Sequence, residues 1–454
     1  MKFFYISLTL LIVSHFSNAQ NICSLKGNFP QASNKEIILK AFTMLGDSLL
    51  SKTTADTMGK FEINYPTKYR GAALLEIKES KSVIVLLNKE NLEMNWDNLE
   101  DFNSLTYKDS PENSAFKKGI AITQKAEQLM SALNFIKPIY EKDLPSSSKK
   151  IKWVAKEIAI QGNAFPDYLN SLSNNSYVRY YLKLRKLIED MPNSASKYPE
   201  RIPLHEGQFN TIDFAANDLV HSGLYKELLE GYFRLMESKG DLDMVYKNTN
   251  SGTDLVLKSL EKHPELKQEV AQYLFNFFEK RSLFQAAEHL ALAMLDSQSC
   301  EMDSKHKSLF EQYRKMAIGK TADDIIFENA TQPVLNLNSI TTKYKLVVFG
   351  ASWCTKCQED IPKLKTYYDD WKTKYNLEIV FVSLDSEQEK FNAFVKDFPW
   401  MSSSELKGWE AKSALDYCVF GTPTMYLLST DNTILLKPIS EKQIQSWLEL
   451  NIKN

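Results

Sequence analysis

The chain has little of what metal sites and disulfide scaffolds are made from. Its 454 residues include five cysteines: Cys23, Cys300, Cys354, Cys357 and Cys418. Five across that length exclude a disulfide-stapled mini-scaffold, and the odd number leaves at least one thiol free or paired between molecules. Histidine is also scarce. His205, His221, His263, His289 and His306 are scattered through the middle of the chain, and none follows His306. A structural zinc site takes four ligands. With a single C-x-x-C and no histidine downstream of it, no metal is expected, and a Cys–His hydrolase is disfavoured. Neither sign of charge dominates: 55 Lys and Arg face 57 Asp and Glu, for a net charge of -2. A nucleic-acid footprint needs a basic surface, so no nucleic-acid partner is expected. No stretch reaches the ~20 apolar residues of a transmembrane helix. No repeat of ~20–50 residues marks a solenoid.

What is present begins with a leader. Met1-Lys2 is a short positive start, and Phe3 to Val13 is apolar but for Ser7 and Thr9. Ser17-Asn18-Ala19 offers small residues for cleavage, with Gln20 as the mature start. This is the three-part pattern of a secretory signal peptide over residues 1–19, so the protein is expected to be exported. Cys23 lies just beyond, but Ile22 rather than a small residue precedes it, so lipid attachment is not expected.

The chain as a whole is 43% hydrophobic and 25% charged, enough apolar material for more than one core. Residues 20–110 read as short strands: Glu36 to Phe42, the alternating Phe61-Glu62-Ile63-Asn64-Tyr65 after a turn at Gly59, Ala72 to Ile77 and Val83 to Leu87. Their spacing predicts a small antiparallel β-module, sandwich-like. Residues 111–314 change period. Ile122, Ala126, Leu129, Leu133 and Ile136 step by four and three, as do Val270, Tyr273, Leu274, Phe277 and Phe278, and Ala287, Leu290, Ala291, Met294 and Leu295. These are helix faces, and the region reads as an all-α spacer. Residues 315–454 alternate strand and helix. Strands are expected at Lys345 to Gly350, Glu378 to Leu384, Thr424 to Leu428 and Thr433 to Leu436. Helices are expected at Cys354 to Lys374, Glu387 to Lys396 and, capped by Ser440, up to Leu450. That order implies an α/β layer fold.

The chemistry sits where the first of those strands meets its helix, at Trp353-Cys354-Thr355-Lys356-Cys357. A C-x-x-C on a first helical turn brings two sulfurs within disulfide range. The partial positive charge of the helix start stabilises a thiolate on the first cysteine. Cys354 is therefore the expected nucleophile, and Cys357 the thiol that resolves a mixed disulfide. A structural role is disfavoured, because closing so short a loop gains little.

Trp353-Cys354-x-x-Cys357, taken with Gly421-Thr422-Pro423-Thr424 just before a strand, resembles the thioredoxin superfamily. The resemblance implies a thioredoxin-like fold for 315–454 and a cis Thr422–Pro423 bond facing the sulfurs. It also implies that Thr422 backbone groups pair with a bound peptide. Trp353 reads as a shield for the disulfide, a docking residue or a packing residue. Cys357-Gln358-Glu359-Asp360-Ile361-Pro362 is similar to the TlpA/ResA-like branch of bacterial envelope thiol–disulfide oxidoreductases, with Asp360 where that branch usually has Glu. This makes Asp360 a candidate proton acceptor for Cys357; an acid there also suits the helix dipole. Val348 stands where simple thioredoxins carry a buried Asp. Cys418 lies five residues before Pro423 and reads either as a neighbour of the site or as a small buried hydrophobe.

The reading that follows is an exported, periplasmic or cell-envelope thiol–disulfide oxidoreductase. It reduces partner-protein disulfides through Cys354 and Cys357 and needs no cofactor beyond that redox-active disulfide. Its expected partners are protein thiols and disulfides of the envelope and a membrane-linked thiol electron donor. Lys356 favours the thiolate and so an oxidising protein, whereas the resemblance leans toward a reductant. The alternative is an envelope binding or scaffold protein in which the redox domain is an accessory or sensor.

Overall fold

A computed structural model describes residues 22–451 except Thr67, Ser147, Ser282 and residues 298–303. The expected leader at 1–19 and Cys300 lie outside the described residues. The chain divides into two compact units, with the boundary between Lys239 and Gly240.

The first unit opens with strands β1 (Ile22–Asn28), β2 (Glu36–Phe42), β3 (Asp47–Thr54), β4 (Lys60–Pro66), β5 (Arg70–Ile77), β6 (Ser82–Asn88), β7 (Leu92–Trp96) and β8 (Leu105–Lys108). They form two four-stranded sheets, ordered β4-β1-β7-β8 and β3-β2-β5-β6. Strict alternation in β4 buries Phe61, Ile63 and Tyr65 and exposes the residues between them, as a period of two requires. Those three share one core with Leu25 and Trp96 and with Ile37, Leu75 and Val85 of the other sheet, which makes the module a sandwich. Its pairings are antiparallel except that β1 runs parallel to β7.

Helices complete the first unit: α1 (Pro111–Asp143), α2 (Lys149–Ser171), α3 (Tyr177–Ser196), α4 (Ile202–Phe209), α5 (Asn217–Val220) and α6 (Tyr225–Glu237). Pro111 and Glu112 suit the first turn of α1. Two residues in, the Asn113 amide donates to Leu86 O and accepts from Leu86 N–H, both at 2.8 Å. Since β6 is an edge strand, this pair covers backbone groups that would otherwise face outward.

The second unit begins with α7 (Leu242–Ser259), α8 (Pro264–Lys280), α9 (Phe284–Asp296) and α10 (Ser304–Lys315). It continues through β9 (Tyr344–Gly350), α11 (Thr355–Asp360), α12 (Lys365–Tyr375), β10 (Leu377–Ser383), α13 (Gln388–Val395), β11 (Met401–Ser404), α14 (Lys412–Asp416), β12 (Thr424–Ser429), β13 (Ile434–Leu436) and α15 (Glu441–Asn451). One five-stranded sheet, ordered β11-β10-β9-β12-β13, organises it. β9, β10 and β11 are parallel, and β12 and β13 antiparallel. The continuous apolar run of β9 splits between two cores. Val347 and Phe349 pack with Tyr417 and Tyr426 on one face, and Leu346 and Val348 pack with Trp371, Ile444 and Cys357 on the other. A strand covered on both faces reads as a hydrophobic run for this reason.

The single helix expected from Cys354 to Lys374 is broken. A 3₁₀ turn at Ile361–Leu364 separates α11 from α12, because Pro362 has no N–H to continue the α-helical ladder. α9 is fixed to the sheet by an ion pair between Glu288 and Lys437, both about nine-tenths buried. Glu288 also accepts the N–H of Ile318 at 3.1 Å.

Candidate active site

β9 carries the chain to the C-terminal end of the sheet, and the loop Ala351-Ser352-Trp353 turns it into α11. Cys354 is the N-cap of that helix; its Sγ accepts the Cys357 N–H at 3.1 Å. The two cysteines are disulfide-bonded, with their Cα atoms 5.2 Å apart. Cys354 keeps 9% of its surface exposed and Cys357 none, so of the two cysteines only the first has surface that an attacking group can reach. Gly350 makes the seat for the second. A Cβ there would lie 3.4 Å from Cys357 Sγ and 2.6 Å from Ile361 Cδ1, the latter closer than packed atoms allow.

β12 runs antiparallel to β9 with Thr424 opposite Phe349, so the residues just before β12 arrive beside the sulfurs. There the Thr422–Pro423 bond is cis, and Thr422 O lies 3.4 Å from Cys354 Sγ. Trp353 is half exposed, and its ring centroid lies 5.9 Å from that of Trp409, also exposed. The structure therefore brings together Trp353, Cys354, Cys357, Thr422 and Pro423. Asp360 closes α11 and pairs with Lys363 at 2.7 Å. Val348 is fully buried in the apolar core that holds both sulfurs.

Sequence reasoning passed over Asp385. Its buried carboxylate accepts from Ser352 N–H at 3.1 Å, Ser352 Oγ at 2.6 Å and Ser383 Oγ at 2.6 Å. It thus holds the loop that presents Trp353 and Cys354. The available signal was an acid two residues past a strand end in an α/β layer fold. Trp409 carried no signal, since it lies far along the chain from Cys354. Cys418 is half-buried and has a left-handed backbone, its Sγ 3.4 Å from Gln312 O. Burial pushes its thiol up to about 11, so it stays protonated and a poor nucleophile at neutral pH.

A thioredoxin-like family model matches residues 342–434. This segment is thioredoxin-like. The match takes in the C-x-x-C, Asp360, Asp385 and the cis-proline. The chain is 32% identical over 113 residues to probable nucleoredoxin 1 of Arabidopsis thaliana, covering 24% of this chain and 19% of that protein. It is 25% identical over 148 residues to a thiol-disulfide oxidoreductase ResA of Bacillus cereus, covering 32% of this chain and 84% of that one. A solved thioredoxin-like protein from Bacteroides caccae aligns over 56% of this chain and 94% of its own, at 18% identity and a TM-score of 0.44. The chain spans about a fifth of the length of the nucleoredoxins it matches.

Proposed function

We propose that this protein is an exported thiol–disulfide oxidoreductase that reduces disulfides of partner proteins in the cell envelope. The observation that carries the reading is the Cys354–Cys357 pair at a helix start, one sulfur open and one enclosed, with the open one beside the Thr422 carbonyl. In the reduced protein, the Cys354 thiolate attacks one sulfur of a partner disulfide. That S–S bond breaks, a Cys354–partner disulfide forms, and the first partner thiolate leaves and takes up a proton. The Cys357 thiolate then attacks Cys354 Sγ and expels the second partner thiolate. The partner gains two electrons and two protons, and the Cys354–Cys357 disulfide is left. A thiol donor linked to the membrane returns the two electrons, and the disulfide itself is the only redox group required.

Trp353, Thr422 and Pro423 form the docking surface in this scheme, and Asp360 is the candidate acceptor for the Cys357 proton. The leader pattern at 1–19 supports export. Cys354→Ser is expected to abolish insulin reduction, and Cys357→Ser to accumulate covalent partner adducts in the native compartment; unchanged turnover in Cys354→Ser refutes the reading. Equilibration with glutathione fixes the direction, and a strongly oxidising potential refutes the reductase assignment.

A further inference from the structure

A groove of about 430 Å³ opens beside the segments that carry the active site, Lys356 and Thr422–Pro423. One wall is the active-site side itself, Lys356 and the Thr422–Pro423 edge; the other is built by α8, α9 and α10. We infer that this groove receives a tyrosine or tryptophan side chain of the polypeptide whose disulfide is attacked, an inference that rests on the thiol–disulfide reading above.

Three features identify the occupant. The first is continuity. Thr422 O lies against the open sulfur, and Thr422 and Pro423 form the near wall of the groove. An extended chain lying along that backbone, with its disulfide at Cys354, projects a side chain into the space beyond. The second is the lining. Phe275, Phe284 and Phe420 present ring surface from three separate segments, and Phe420 is stacked on Tyr313 with centroids 5.7 Å apart. Such walls favour a flat apolar body over a charged one.

The third is an orphan acceptor. Glu279, on the groove-lining face of α8, hydrogen-bonds Tyr313 through its carboxyl but leaves Oε1 buried and unpaired among the described residues. A buried acceptor left unpaired is costly. Tyrosine and tryptophan combine an apolar ring with a single donor at the tip, and phenylalanine lacks that donor. The exposed Lys280 and Lys356 on the lining suit acidic residues elsewhere on the same segment.

The test is a panel of disulfide-linked peptides, identical except for one residue set in turn at each position within three of the attacked cysteine. That residue is tyrosine, phenylalanine or glycine, and kcat/KM is measured with the full-length protein. At one position tyrosine is expected to exceed glycine by about tenfold, with phenylalanine between them. Asn276→Trp, which places an indole in the groove from an exposed position on α8, is expected to bring the tyrosine-to-glycine ratio to about one. Equal turnover of all peptides by the unaltered protein overturns the groove while leaving the redox reading standing. Phenylalanine equal to tyrosine overturns the part given to Glu279. A tyrosine preference that survives Asn276→Trp overturns the location. Failure to reduce any peptide overturns the redox reading and the groove with it.

Discussion

At the scale of the residue, Asp385 and Glu279 show how differently two carboxylates are treated by the same fold. Asp385 is buried but accepts three hydrogen bonds through Ser352 and Ser383. Asp385→Ala leaves the Ser352 N–H and two hydroxyls without their acceptor. It is expected to lower stability by ~1.5–3 kcal/mol, read from urea unfolding. Glu279 is half-buried with one oxygen unpaired, and desolvation holds its carboxyl above the usual value; the Tyr313 hydrogen bond and the Lys437 charge offset this only in part. A carboxyl raised on folding contributes stability that is fully present below its unfolded value, near 4.5, and is lost as pH rises through the folded one. Stability measured at a series of pH values is therefore expected to move in favour of Glu279→Gln as pH increases from about 4.5. Glu279 was not legible in the sequence, and Asp385 offered only an acid just past a strand end. Both lie far from the C-x-x-C along the chain, and only the sheet order and the packing of α8 bring them near it. Cys354, Cys357 and Pro423 were legible, because their spacing and local context are themselves the chemistry.

At the scale of the element, legibility followed burial. β4 and β9 were readable because one face or both are apolar. β11 was not: its sequence, Met-Ser-Ser-Ser, looks like a loop, yet all four residues are buried. Two of its three hydroxyls find backbone partners, as Ser403 Oγ donates to Glu328 O and Ser404 Oγ to Ser383 O and Asp385 O, while Ser402 Oγ has none among the described residues. Paired polar groups are tolerated inside, and they hide a strand from any hydrophobic pattern. The α9–sheet junction was equally hidden, since Glu288 and Lys437 are 149 residues apart. Removing one member of a buried ion pair leaves the other charge uncompensated. Glu288→Ala is expected to cost ~3–5 kcal/mol in thermal or denaturant unfolding of the second unit, whereas Glu288→Met combined with Lys437→Met costs markedly less.

At the scale of the whole molecule, the succession of β-module, helices and α/β domain was readable from the change of period alone, from two to 3.6 and then to alternation. Where the compact units divide was not. Helices lie on both sides of Lys239 and Gly240, while the contacts change sides there. α7 to α10 belong with the thioredoxin-like sheet, and so the region that reads as a spacer supplies a wall beside the dithiol.

The complete enclosure of Cys357 also sets how this molecule meets peroxide. Oxidant reaches Cys354 first and converts its thiolate to a sulfenic acid. Cys357, shielded from solvent but in bonding range of that sulfur, condenses with it and expels water. The oxidation is expected to stop at a reversible rung, the same Cys354–Cys357 disulfide, before sulfinic or sulfonic acid forms. Seating one sulfur against a glycine thus protects the other from irreversible loss.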